Sequence, residues 1–227
     1  MLIDCHVHTT RYSGCSTLSP KWACEWAEDR GLDVLVLTEH QVQWTTPEIA
    51  ILRKEYPGLK IFSGVEVSLE EGFDVVLIAS IQGLTYPPFP HRISLAEFQD
   101  SLRVVRGERF AFIAHPFRWT NQRSLEMDLV LAAVDGIEMS SINILHNNVR
   151  REKNRYVARN ATLYQQAREE YGLIPLYNTD SHTEGSVGAL ANRVDGQIPA
   201  TGSELAALLK RAHPEEYQNQ DLLKRFF

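Results

Sequence analysis

Ile3-Asp4-Cys5-His6-Val7-His8-Thr9 sets two imidazoles two residues apart at the start of the chain. Alternate side chains of a strand share a face, so His6 and His8 are expected to project together, with Cys5 and Val7 turned away. Two imidazoles side by side are the beginning of a metal site. A lone His-x-His is also a common coincidence. The pair gains weight from the rest of the chain, where four further short, strand-like runs end in His, Glu or Asp.

Working outward, strand and helix patterns alternate along nearly the whole chain. Ser19-Pro20 reads as a helix start, with Trp22, Ala23, Trp26 and Ala27 as its apolar stripe and Gly31 as its stop. Val34 to Leu37 is an apolar run ending in Thr38-Glu39-His40. A helix is expected from Pro47 to Tyr56, a strand from Lys60 to Ser68 and another from Asp74 to Ser80. The proline-rich stretch Gln82 to Ile93 reads as an exposed loop. Ser94 caps a helix through Arg103, and Arg109 to Ala114 is a strand delivering His115-Pro116. A short helix over Leu125 to Leu131 and a strand over Gly136 to Met139 come next. Asn147 to Tyr171 reads as one long helix, or a helix with a break, ended by Gly172. Ile174 to Asn178 is a strand delivering Thr179-Asp180-Ser181-His182, and Ser203 to Arg211 a helix. The tail from about residue 214 is polar and carries no clear pattern. This rhythm implies βα units and a mostly parallel sheet or barrel. Such folds carry their sites at the strand C-terminal ends.

The chain has 227 residues, 44% hydrophobic and 23% charged, which is ordinary globular composition. A single domain over 1–227 is the simplest expectation. With 23 basic and 29 acidic residues the net charge is −6, so no global basic excess tracks a nucleic-acid backbone. Three cysteines clustered at one end do not read as a disulfide framework, which favours a reduced, cytoplasmic setting. No apolar run approaches the roughly 20 residues of a membrane span.

Each polar residue at a strand end has a plain alternative. His40 and the Asp180/His182 pair would serve as helix caps, and His115 as a turn residue before proline. Glu66, between Val65 and Val67, is harder to dismiss, because a carboxylate in a core strand is costly unless paired. Together, His6, His8, His40, His115, His182, Glu66 and Asp180, with Asp74 beside them, are a ligand set for zinc, manganese or iron. A bridging carboxylate among imidazoles suits a site of several ions.

These motifs, in order, resemble those of the PHP (polymerase and histidinol phosphatase) family: Asp4-Cys5-His6-Val7-His8-Thr9, Thr38-Glu39-His40, Gly64-Val65-Glu66-Val67, Ala114-His115-Pro116 and Asp180-Ser181-His182. The resemblance implies a single-domain, distorted (β/α)7 barrel with two or three divalent ions. It implies a hydrolase that cleaves a small phosphate ester by attack of a metal-bound hydroxide. Carried over by position, His6, His8, Glu66 and Asp180 would hold one ion. Glu66 would bridge to a second with His115, and His40 and His182 would hold a third. Three departures stand out. Glu39 replaces the aspartate that is usual before the ligand histidine. Asp74 stands near where the family often has a histidine. The stretch Tyr12 to Cys15 offers neither acid nor imidazole to the third ion; Cys15 is a candidate thiolate ligand there, and a plain buried packing residue is its simpler reading.

Phosphate needs donors beyond the ions. Arg118, three residues after His115, is the candidate for binding substrate at the rim, and with Glu66 and Asp180 completes the catalytic set. Arg150, Arg151, Lys153, Arg155 and Arg159 read as a solvated helix face. The loop with Asn143, His146, Asn147 and Asn148 is placed to cover the pocket, whereas His91 and His213 are not site residues. Nucleic acid is the weaker partner. The rivals are hydrolysis of a C–N or C–O bond with the same ions, and a non-catalytic metal-binding module.

Overall fold

The computed structural model describes residues 1–79, 91–105, 107–146 and 148–227. The first elements are β1 (Leu2–Val7), α1 (Pro20–Asp29), β2 (Val34–Leu37) and α2 (Thr46–Glu55). Ser19 caps α1 by accepting from the Trp22 amide, and Pro20 begins it. The buried face of α1 is Ala23, Cys24 and Ala27, whereas Trp22 of the expected stripe is exposed. Thr45 and Glu48 form a capping box on α2.

Then come β3 (Lys60–Ser63), β4 (Val65–Ser68), β5 (Asp74–Ala79), α3 (Leu95–Leu102), β6 (Arg109–Ala114), α4 (Leu125–Leu131) and β7 (Gly136–Ser140). The single strand expected over Lys60 to Ser68 is two, broken at Gly64. A Cβ there would meet the Leu77 carbonyl at 2.9 Å, so only glycine lets the chain cross between sheets. The turn from β4 to β5 is too short for a crossover, so β5 runs antiparallel to both β4 and β6. The loop expected over Gln82 to Ile93 lies outside the described residues up to 90, as does Ser80 at the end of its strand.

The remaining elements are α5 (Ile142–Leu145), β8 (Val149–Glu152), β9 (Arg155–Ala158), α6 (Ala161–Tyr171), β10 (Ile174–Tyr177), β11 (Leu190–Arg193), α7 (Gly202–Arg211), β12 (Glu215–Gln218) and α8 (Gln220–Leu223). The long helix expected from Asn147 to Tyr171 is largely absent. The hairpin β8–β9 stands before α6, turning at Lys153, which takes a φ of 52°. Along β9, Tyr156 and Ala158 are buried, Arg155 is exposed and Val157 half-buried, which is the two-residue period of a strand. The basic cluster therefore lies on and beside a hairpin, where Arg150 pairs with Glu152 and Arg155 with Glu216. Asn147 itself is not among the described residues. The tail is ordered into β12 and α8.

The strands form two five-stranded sheets, ordered β12-β11-β1-β2-β3 and β10-β7-β6-β5-β4. The closed (β/α)7 barrel expected from the resemblance is not formed among the described residues; the fold is mixed α/β. One cause is local. β11 pairs with β1 at Leu2 and Ile3 and occupies the edge that β10 would need. The chain after β10 reaches the end of β1 only beyond it, through a single bridge between Val7 and Ser181. Side chains fill the seam instead of a ladder. The Cys5 amide donates to Asn178 Oδ1 at 3.0 Å, the Thr179 amide to Asp4 Oδ1 at 3.1 Å and the Tyr177 amide to Asn192 Oδ1 at 2.8 Å. At the other seam a single bridge joins His40 to Glu66.

Ile3, Val34, Val36, Phe62, Val76, Phe110 and Phe112 pack between the sheets, with α7 against them. Helices α1 and α2 cover the outer face of the first sheet, and α3, α4 and α6 that of the second. Strand β1 carries an irregularity between Asp4 and Val7. Cys5 therefore packs between the sheets and Val7 on the outer face, not together as simple alternation requires. No helix among the described residues is long and apolar enough to cross a membrane.

Candidate metal centre

The seams converge on one polar cluster. His6 and His8 come from the end of β1, His40 from beyond β2, Glu66 from β4, His115 from the end of β6, and Asp180 and His182 from the loop after β10. Their donor atoms form three overlapping groups, each with its atoms within 4.8 Å of one another: His6, His8 and Asp180; His6, Glu66 and His115; His8, His40 and His182. His115 and Asp180 hold φ values of 32° and 51°, a strained region for side chains with a Cβ. Both residues turn their donors inward at the point where the strand has ended.

Hydrogen bonding around the rings fixes which nitrogen faces the cluster. His6 Nδ1 donates to Glu138 Oε1 at 3.0 Å, leaving Nε2 with its lone pair. Ser13 Oγ donates to Glu39 Oε2 at 2.5 Å and so accepts from His8 Nδ1 at 3.2 Å, which bares His8 Nε2. His182 Nδ1 donates to the Asp180 carbonyl at 3.0 Å. The bare nitrogens of His6 and His8 then stand only 3.0 Å apart. Two lone pairs at that separation need a positive charge between or beside them.

Glu66 has the complementary need. It is 1% exposed, and neither carboxylate oxygen has a hydrogen-bond partner among the described residues. Imidazole nitrogens of His40, His8, His6 and His115 approach it at 2.7, 3.2, 3.3 and 3.3 Å without the alignment of hydrogen bonds. A buried carboxylate with ring nitrogens around it and no aligned donor fits divalent cations. The residues present therefore suit the ions that the sequence implies.

Electrostatics point the same way. Burial opposes charging His6, but Asp180, Glu138 and Glu66 outweigh it and hold its pKa well above the usual imidazole range. His8 is also opposed by burial, yet contacts to Asp180 and Glu66 bring it to about 9. Burial works to raise Glu66, but the His6 charge and contacts to His115 and His40 carry it well below the carboxylate range. Asp180 is lowered in the same way, against burial, chiefly by His6 and His8. Burial and the neighbouring His8 lower His182 to about 4. The cluster thus attracts positive charge, which protons supply when no metal does.

A cavity of about 380 Å³ opens over the cluster, lined by Glu66, Asp180, His40, His115 and His182 and also by Cys15, Asp74, Arg118, Trp119 and Asn143. Asp74 lies on this wall outside the three donor groups, accepting from Ser68 Oγ at 2.6 Å. Cys15 is exposed rather than buried, so it is no packing residue. Arg118 Nη2 donates to Asn143 Oδ1 at 3.3 Å, and Asn143 Nδ2 to Asp180 Oδ2 at 2.6 Å. His146 and Asn148 line the adjoining cavity rather than this one.

Sequence reasoning missed Glu138, and named Glu39 and Asp4 only within their motifs, without their contacts. Glu138 is fully buried, takes His6 Nδ1, and accepts from the His115 amide at 3.2 Å and Asn178 Nδ2 at 3.0 Å. Its signal was available: like Glu66, it interrupts an apolar strand. Glu39 collects the Thr9 amide, Thr9 Oγ1, Ser13 Oγ and Trp44 Nε1, orienting His8 through Ser13. Asp4 is pushed up to about 7 by burial, against hydrogen bonds from Thr179. No pattern in the sequence marks its contact with Thr179, which is made across a sheet seam.

A family model described as PHP domain matches residues 4–217. No curated protein matches the sequence. Among solved structures, the fold is similar to PsfC from Pseudomonas syringae PB-5123, with 18% identity and a TM-score of 0.68 over 99% of this chain and 95% of that one. It is similar to a two-domain protein from Bacteroides vulgatus ATCC 8482 containing a predicted PHP-like metal-dependent phosphoesterase. There the identity is 18% and the TM-score 0.69, over 100% of this chain and 69% of that one. The lesion-specific endonuclease PfuEndoQ from Pyrococcus furiosus aligns at 14% identity and a TM-score of 0.57, over 94% of this chain and 57% of that one. At such identities the likeness is one of fold.

Proposed function

The chain belongs to the PHP domain family, and on that footing we propose that it is a metal-dependent phosphoesterase acting on a small phosphate ester. The observation that carries this reading is the buried Glu66 carboxylate, without a hydrogen-bond partner among converging imidazoles. His6, His8 and Asp180 would hold one ion; Glu66, His6 and His115 a second; and His8, His40 and His182 a third. His6 and His8 each offer one bare nitrogen and belong to two groups, so neither can serve both of its groups at once. The ions would supply Lewis acidity toward phosphoryl oxygens and activation of water, whether zinc, manganese or iron is bound.

The chain's own residues do the rest. Glu138 fixes the His6 tautomer, and Glu39 with Ser13 fixes that of His8. Asn143 holds Asp180 Oδ2 and the Arg118 guanidinium in one chain of hydrogen bonds. Arg118 thereby offers its remaining N–H groups to a phosphate oxygen at the cavity wall. Asp74, already bonded to Ser68, is placed to accept from substrate or ordered water. The test is elemental analysis of the purified protein, followed by assays with zinc, manganese and iron on phosphate esters, amides and lactones. Metal-dependent release of phosphate is expected; turnover confined to amides or lactones would move the reaction to carbon, and metal binding without any turnover would leave a binding module. A nucleic-acid ester is the rival substrate, favoured by the similarity to the Pyrococcus endonuclease. Including abasic duplex DNA in the panel decides between them.

Two changes probe the supporting residues. Arg118→Ala should reduce kcat/KM by the equivalent of about 1.5–3 kcal/mol, the scale of a charged hydrogen bond. A higher KM at constant kcat would place the contact equally in ground and transition states. Unaltered kinetics would return Arg118 to the surface. Glu138→Gln should weaken metal affinity by roughly 10–100-fold, since it removes the charge behind a ligand imidazole and leaves one acceptor oxygen where His6 Nδ1 and the His115 amide now use two. Wild-type affinity in a competition titration would contradict that role.

A further inference from the structure

Beside the metal cavity lies a second one, of about 330 Å³, and the two share Arg118, Trp119 and Asn143 as a common wall. Its lining differs in kind from that of the metal centre. Among the described residues it contains no carboxylate and no lysine, and Arg118 is its one guanidinium. Carboxamides of Asn121, Asn143, Asn148 and Asn160 dominate it, with the His146 ring.

Some of those amides are committed to one another. Asn148 Nδ2 donates to Asn160 Oδ1 at 2.6 Å, and Asn160 Nδ2 donates to Asn121 Oδ1 and the Phe117 carbonyl, each at 3.1 Å. That network fixes the amide orientations and leaves the opposite atoms unused. Asn121 Nδ2 remains as a donor, Asn148 Oδ1 as an acceptor, and the His146 ring as either. Above them stands Trp119, 85% exposed, with the Arg118 guanidinium 4.5 Å from its ring centroid. An indole left so open beside a cavity offers an apolar face and one N–H donor.

We propose that this second cavity receives the leaving group of the phosphate ester, and that this group is an uncharged, hydroxyl-bearing body: the substrate is a sugar or polyol phosphate. The assignment rests on the phosphoesterase reading of the adjoining metal centre. Hydroxyl groups both donate and accept, as do fixed carboxamides, so several of them can be satisfied by one wall. A sugar ring also has an apolar C–H face that suits the open side of Trp119. A carboxylate-bearing leaving group would find only the shared Arg118, and a cationic one would find no acid among the described lining residues. A purely alkyl group would leave the fixed amides without partners, which costs binding.

The experiment compares pentose and hexose monophosphates with cyclohexylmethyl phosphate, which keeps the ring and the ester but lacks the ring hydroxyls. The metal-loaded protein is used, with phosphate release as the readout. The sugar phosphates should be preferred in kcat/KM by at least about 100-fold, since a site built on hydrogen bonds rejects an analogue that lacks them. Asn121→Leu, an exposed position, should lower that preference by roughly tenfold or more, through its lost donor and the lost Oδ1 that anchors Asn160. Trp119→Ala should raise KM for the sugar phosphates. Metal content in both variants should equal that of the wild type, because neither residue belongs to a donor group. Equal turnover of the two ester types, or turnover confined to esters with apolar or charged leaving groups, overturns the pocket assignment while leaving the phosphoesterase intact. Absence of metal-dependent phosphate release from every ester overturns the preceding reading, and this one with it.

Discussion

Glu66→Gln is expected to lose at least one metal ion per chain and to reduce turnover by roughly 10²–10³-fold or more, the scale seen when a preorganised electrostatic group is removed from a site. The substitution preserves shape but takes away the charge on which four imidazoles converge. A neutral amide also brings an N–H₂ group into a shell of lone pairs, so it disfavours cations twice. The side chain is 1% exposed and water cannot replace it. Elemental analysis and steady-state kinetics on the same preparation decide the matter. A variant with full metal content and full activity would remove Glu66 from the centre.

Removing the metal should make the protein lose stability at alkaline pH. In the metal-free state His6, His8 and His115 are all held above the ordinary imidazole value of 6.5 by the surrounding carboxylates, against the pull of burial, with His8 at about 9. A raised folded-state pKa means that the folded protein binds the proton more tightly than the unfolded chain does. The stabilisation is complete below about 6.5 and is lost as pH climbs toward 9. Glu66 and Asp180 have depressed values, so their share is present above the usual carboxylate range and is lost only in acid. The chelated protein should therefore melt at progressively lower temperature from pH 6.5 to 9. Divalent ions replace the protons and bind more strongly as the protons leave, so the loaded protein should hold its Tm over the same interval. Binding in a weak buffer should release protons measurably. Parallel melting curves with and without metal would contradict the cluster as a cation site.

Much of the fold is local enough to read. Ser94 capping α3, Arg109 to Ala114 as β6 and Leu125 to Leu131 as α4 follow from caps and apolar runs. The stretch before α6 misled because Arg150 to Arg159 is polar, and polarity alone does not separate a solvated helix face from an exposed hairpin. The turn at Lys153 needs a positive φ at a residue with a Cβ, which no propensity announces. Strand β11 was not anticipated, and its pairing with β1 is what keeps the ring of strands from closing there.

The family and the chemistry of the cluster are written in residue order alone. Imidazoles and carboxylates at strand ends carry their own coordination preferences, whatever surrounds them. The position of Glu66 is equally legible, because a carboxylate between two valines of a buried strand has no inexpensive alternative. How the donors group is a matter of the folded chain. His8 joins His40 and His182, and His6 joins Glu66 and His115, because two sheets meet at seams of single bridges that bring distant segments within hydrogen-bond range. Folding alone revealed Glu138 and the contacts that give Glu39 and Asn143 their roles, which span from 26 to 132 residues of chain. Hydrogen bonds act over about 3 Å of space and are indifferent to sequence separation. Which polar residue orients which ligand is therefore settled only when the chain has folded.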